Sequence, residues 1–89
     1  MTIIINRCWG GFHIPEEFCE THDLDRYDDI ERTNPELVAF VKAHGGVFTE
    51  GCAKLVAVEV PDTCTDWELT DYDGMESITY VVDGKLRHV

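Results

Sequence analysis

With 89 residues, 44% of them hydrophobic, and two Trp, three Tyr and four Phe, the chain is sized for one modest core. It falls outside the class of acidic disordered segments, which lack aromatics and β-branched runs. Its formal net charge of −11 repels nucleic acid and membrane surfaces and attracts the proteins that bind them.

The charge is segregated. Eight of the sixteen residues from Glu16 to Glu31 are acidic, against Arg26 alone, and Leu55 to Gly84 carries eight more carboxylates with no Lys or Arg.

The first element is a strand over Thr2 to Cys8, built on three consecutive isoleucines and broken by Gly10-Gly11. The same N-terminal run has no basic leader or cleavage site, and no stretch approaches the ~18 apolar residues of a membrane span. The expected setting is therefore the cytoplasm of the cell that makes the protein or the host cell its genome enters, where Cys8, Cys19, Cys52 and Cys64 stay as thiols. Pro15 suits a helix start and Glu16, Glu17 and Glu20 suit its first turns, so a helix is expected from Pro15 to about His22. The acid-rich run from Asp23 to Arg32 reads as a loop.

Asn34 as N-cap, Pro35 next and Glu36 in the first turn predict a helix over Pro35–His44, with Leu37, Val38, Phe40 and Val41 at helical spacing and Gly45-Gly46 as its stop. Ala53 to Val60 reads as a strand with Val56, Val58 and Val60 on one face. Strands follow over Trp67–Tyr72, turning at Asp73-Gly74, and over Glu76–Val82, where Asp83-Gly84 signals a hairpin into Lys85–Val89. The order predicts an α+β domain over residues 1–89: a mainly antiparallel sheet of four to five strands with two helices packed on one face.

The segment Ile5-Asn6-Arg7-Cys8-Trp9-Gly10-Gly11-Phe12 resembles the opening of a family of small, mostly uncharacterised acidic phage and prophage proteins, in which an Asn-Arg-Cys-aromatic-Gly-Gly-Phe motif follows a first strand. Asp29 to Val38, Val58 to Asp62, Trp67-Glu68-Leu69 and Tyr72 to Glu76 are similar to the same family. Cys19, Cys52, Cys64 and the insertion Thr63-Cys64-Thr65 depart from it. The resemblance implies a bacteriophage origin and an acidic α+β domain, and no established activity.

Chemistry-bearing constellations are sparse. Cys19-x-x-His22 would place both side chains on one helix face, with Cys8 and His13 just upstream, so a four-ligand zinc site can be drawn. No paired-cysteine knuckle accompanies it, and core cysteines with surface histidines explain the same residues. A nucleophilic Cys8 with His13, His22 or His44 as base runs against acidic surroundings that suppress the thiolate. Trp9-Gly10-Gly11-Phe12 lacks the Lys-Ser/Thr of a phosphate loop, and Asp23, Asp25 and Asp28-Asp29 lack the Gly and Glu of a calcium loop.

The acidic segments carry the functional expectation. Their charge exceeds the magnitude of about 2–8 that solubility asks of a small domain. B-DNA carries one charge per ~1.7 Å of axis, so a row of carboxylates can imitate a short duplex. The expected function is non-enzymatic: a phage-encoded inhibitor of the anti-CRISPR type. It would act as a DNA mimic, binding a basic nucleic-acid-binding host protein or Cas complex and blocking its nucleic-acid site. The contacts would come from Glu16, Glu17, Glu20, Asp23, Asp25, Asp28 and Asp29, or from Glu68, Asp71, Asp73 and Glu76, with Trp67 and Tyr72 as hot-spot aromatics. No cofactor, direct nucleic-acid binding or membrane contact is expected. The alternative is a small metal-stabilised adaptor built on Cys19 and His22 with other thiols.

Overall fold

Ile3, Ile4 and Ile5 are all completely buried, which a strand achieves only when both of its faces are covered. The computed structural model, which describes residues 1–8, 11–25, 28–44, 47–48, 54–72 and 74–89, shows how. Strand β1 (Thr2–Asn6) is followed by helices α1 (Glu16–His22) and α2 (Pro35–Ala43), and then by strands β2 (Val47–Phe48), β3 (Lys54–Glu59), β4 (Asp66–Tyr72), β5 (Met75–Val82) and β6 (Lys85–His88). These strands form two three-stranded antiparallel sheets, ordered β1-β3-β2 and β4-β5-β6. The α+β class holds, but the single sheet of four to five strands is corrected to two sheets.

The register Ile3↔Val58, Ile4↔Ala57, Ile5↔Val56 explains the correction. One face of the first sheet offers Ile4 and Leu55 to the helices, where they pack with Ile14, Phe18, Leu37 and Val41. The other offers Ile3, Ile5, Val58 and Val60, which pack against Ile78 of β5, with Trp67, Leu69 and Tyr80 at the margin. A single sheet with helices on one side would leave that second apolar face in water. The second sheet covers it, making three layers.

Local signals set the elements. Asn34 Oδ1 accepts from the backbone N–H of Glu36 (2.9 Å) and Leu37 (3.2 Å), capping α2 as its side chain suggests. The helix ends at Ala43 with His44 as C-cap, one residue before the expected end. In α1, Pro15 is the N-cap and makes no side-chain bond there, so Glu16 and Glu17 supply the compensating negative charge. Asp83 and Gly84 both take positive φ, 52° and 71°, as a two-residue hairpin turn between twisted strands requires. Strand β1 stops at Asn6, short of Cys8, and β2 had no counterpart in the sequence pattern. Cys52, the Trp9-Gly10 turn, Gly45-Gly46, Ala53 and Asp73 lie outside the described residues.

The helices are clasped end to end. His22, at the end of α1, pairs with Glu36 at the start of α2, and His44, just past α2, lies 3.8 Å from Glu17 at the start of α1. Phe18 stacks on His22 and Phe40 on His44, while the two Phe rings meet edge to face at 5.6 Å. The helices therefore run antiparallel, each placing a first-turn acid beside the other's terminal imidazole.

Two outcomes follow from this packing. Leu37 is fully buried under α2, so Leu37→Ala should cost about 2–5 kcal/mol of stability in urea denaturation. A variant that melts like the parent would refute the core assignment. Glu59 accepts from the Thr2 hydroxyl (2.5 Å) and lies 3.1 Å from the Lys42 ammonium. Those contacts, the Thr2 hydrogen bond foremost, hold its carboxyl below the usual carboxylate range. Because the folded value is the depressed one, this contribution to stability is present above the ordinary carboxylate pKa and is lost as pH falls through the folded value. A side-chain NMR titration should find Glu59 titrating below its ordinary value, and Thr2→Val should move it upward.

Candidate functional site

The acids of the first anionic segment are almost all in water. Glu16, Glu17 and Glu20 are exposed on α1, and Asp23, Asp25, Asp28, Asp29 and Glu31 are exposed on the following loop. The loop is partly made by its own carboxylates. Asp23 caps α1 in the left-handed conformation, its N–H donating to the Cys19 carbonyl. Asp28 reaches back to Asp25, its Oδ2 accepting from the Asp25 N–H at 2.8 Å while its own N–H donates to the Asp25 carbonyl at 3.0 Å. The side chains of Asp29 and Glu31 make no hydrogen bond or ion pair among the described residues.

The second anionic segment divides by face. Asp66, Glu68 and Thr70 alternate with Trp67 and Leu69 along β4, and the register Trp67↔Tyr80, Leu69↔Ile78 turns the apolar set toward the first sheet. Glu68 and Asp66 are therefore solvated on the outer face. Asp71 is exposed but engaged, its Oδ1 accepting from the Gly74 N–H at 2.7 Å in the β4–β5 turn. Tyr72 is 71% exposed. Trp67 is half-buried: it packs on the core between the sheets and also faces solvent. Asp73 lies outside the described residues.

Glu76 is the exception and a correction. Expected among the solvated partner-contacting acids, it is 3% exposed, because it shares the inward face of β5 with Ile78 and Tyr80. An unpaired carboxylate could not be buried there. Arg32 neutralises it with two parallel bonds, Nη1 to Oε1 at 2.5 Å and Nη2 to Oε2 at 2.8 Å, the bidentate geometry that makes Arg the favoured partner of a carboxylate. Oε1 also accepts from the Asn6 N–H at 2.7 Å. The guanidinium lies 3.6 Å from the Phe12 ring centroid. The Ile4 N–H donates to the Arg32 carbonyl at 2.8 Å, so the loop closes the outer edge of β1. The Asn6 side chain completes the knot, donating to the Cys8 and Gly74 carbonyls and accepting from the Lys54 and Cys8 N–H groups.

That anchoring places the 29–33 loop opposite β4 and leaves a groove of about 450 Å³ between them, lined by Asp29, Ile30, Glu31, Arg32, Thr33, Trp67 and Leu69. Its apolar lining is Ile30, Trp67 and Leu69, and its rim carries Asp29 and Glu31, with Glu68 on the far side of β4. Acids of the first segment and apolar side chains of the second, distant in sequence, thus meet at one slot. Ile30, Glu31, Arg32 and Leu69 were not among the residues expected at a site. The period-two alternation of Trp67 and Leu69 is the signal that could have marked the slot's upper wall.

The Cys19–His22 pair has other engagements. His22 Nδ1 lies 3.1 Å from the Phe18 carbonyl and 2.9 Å from Thr21 Oγ1, its Nε2 pairs with Glu36, and Cys19 Sγ is 3.8 Å from the Ile14 carbonyl. Among the described residues no three His, Cys, Asp or Glu side chains gather as a set able to hold a metal ion. No helix of the described residues is long and apolar enough to cross a membrane.

No protein-family model, curated protein or solved structure matches the chain.

The buried pair gives a sharp contrast between two acids of the same segment. Glu76→Gln should cost about 3 kcal/mol, the lower end for breaking a buried pair, because Gln still accepts from Asn6 and Arg32 keeps some solvent. Glu68→Gln, on the solvated face, should stay within about 0.5 kcal/mol of the parent. Equal urea midpoints for the two variants would contradict the assigned roles.

Proposed function

We propose that the protein is a non-enzymatic inhibitor that binds a basic nucleic-acid-binding protein through its anionic surface. It would occupy Lys and Arg positions that otherwise hold phosphates. The motif resemblance to small phage proteins suggests the setting: a host nucleic-acid-guided defence complex, and an action of the anti-CRISPR type. The observation that carries the reading is the disposition of the carboxylates. Glu16, Glu17, Glu20, Asp29, Glu31, Asp66 and Glu68 are exposed, and Asp29 and Glu31 line one groove together with Trp67 and Leu69 of β4. Keeping such charge unneutralised costs stability through self-repulsion, a cost that a cationic partner would relieve.

The mechanism is competition. Opposite charge steers encounter and raises the association rate, while close pairs between carboxylate and Lys or Arg exclude phosphate from the same side chains. Tyr72, exposed at the end of β4, adds a large amphipathic contact of the type enriched at interface centres.

The test is displacement of labelled target DNA from guide-loaded Cas effectors. The parent protein should displace it, less effectively as ionic strength rises, because salt screens exposed charges. Two folded reversal variants should associate more slowly, and at least one should lose inhibition: Glu16→Lys/Glu17→Lys/Glu20→Lys on α1, and Asp66→Lys/Glu68→Lys on β4. Asp71 and Glu76 are left intact, since both hold the fold together. Full inhibition by both reversal variants, or no displacement from a panel of effectors at low salt, would sink the proposal.

A further inference from the structure

We propose that the slot between the 29–33 loop and β4 is a docking site for an extended, Lys/Arg-bearing peptide segment of the partner, which seats one apolar side chain against Ile30, Trp67 and Leu69. This deepens the functional proposal and rests on its premise of a cationic partner. It adds that binding is anchored by apolar burial at one place, not by charge alone.

Three observations converge on that occupant. The slot's volume of about 450 Å³ and its apolar lining suit one or two large side chains. Its rim is anionic, and the side chains of Asp29 and Glu31 are exposed and unengaged by the described residues, so Lys or Arg flanking the apolar anchor would find partners that need not first be detached. Finally, β4 has a hydrogen-bonded neighbour on one side only among the described strands. An unpaired strand edge beside a side-chain pocket is the arrangement by which extended peptides are bound: backbone bonds give affinity, and pockets for alternate side chains give specificity. The same charge disfavours the competing occupant. A second copy of this chain, at −11, would bring like charge to a strand that already carries Asp66 and Glu68 on its outer face, and charged side chains on an edge strand keep it from pairing with itself. A basic segment is admitted where a second copy is repelled.

The walls are held in place independently of any ligand. The Arg32 guanidinium bonds Glu76 on one side and the Ile4 carbonyl on the other, at 3.4 Å, so the loop is fixed to the first sheet while β4 belongs to the second.

The experiment uses two synthetic peptides of equal charge, Lys-Arg-Leu-Lys-Arg and Lys-Arg-Ser-Lys-Arg with blocked ends, titrated into the intact protein with amide chemical shifts recorded by NMR. The expected result is that the leucine peptide binds roughly tenfold tighter, the worth of burying most of one such side chain. Its largest shifts should fall in residues 29–33 and 67–69. Asp29→Asn/Glu31→Gln, which changes only exposed side chains, should weaken the leucine peptide at least about threefold and leave the fold unchanged. Equal affinity for the two peptides, or shifts centred on α1, would overturn the slot while leaving the electrostatic reading intact. Binding of neither peptide at low salt would also overturn the slot, and DNA displacement by the parent protein then decides the functional proposal separately.

Discussion

The Arg32–Glu76 pair is the interaction on which the three layers depend. Arg32 comes from the loop between the helices and Glu76 from the second sheet, and between them lies the outer edge of β1 in the first sheet. One carboxylate oxygen accepts from both the guanidinium and the Asn6 N–H, so a single acid joins loop, first sheet and second sheet. A buried pair of this kind is weak evidence of net stability, because desolvation offsets much of the attraction. Its effect here is geometric: the bidentate pair and the Asn6 bond are all satisfied where the loop, the first sheet and the second sheet come together.

From that anchor the electrostatics of the surface follow. Arg32 is one of seven Lys and Arg residues set against eighteen acids, and its charge is consumed in the interior. Lys42 is occupied with Glu59 at 3.1 Å. The anionic loop ahead of Arg32 is therefore left with little local compensation, and the field it projects is the field a cationic partner would meet. The helix clasp also engages two acids: His22 meets Glu36 and His44 meets Glu17, each from the opposite helix.

The anchor also shapes the slot. With the loop pinned to β1 and β4 overhanging from the second sheet, the space between them is a consequence of layer geometry and not of a dedicated pocket sequence. Trp67 illustrates the double duty. The side chain packs against the core between the sheets and also lines the slot.

Much of the local structure was legible in the residues themselves. Asn34-Pro35-Glu36 marks its helix through capping chemistry that needs no tertiary partner, and Asp83-Gly84 marks its hairpin through the positive φ both residues accept. Val56, Val58 and Val60 share a face because a strand alternates with period two. The two anionic segments, and hence the class of partner the surface favours, are also a property of composition and order alone. What the linear pattern left undecided was which face of each strand meets which layer. Three isoleucines in a row announce burial without saying what covers the second face, so the second sheet was missed and a single sheet expected. Glu76 looks like its neighbouring acids until β5 packs its Ile78 face against the first sheet, which buries Glu76 with it and brings Arg32 to it from 44 residues away. Ile30 and Leu69 become parts of one slot for the same reason. Propensity, capping and turn chemistry act within a few residues and can be read along the chain. The pairing of a buried charge and the meeting of two surfaces are set by contacts between distant segments, and only the tertiary structure decides those.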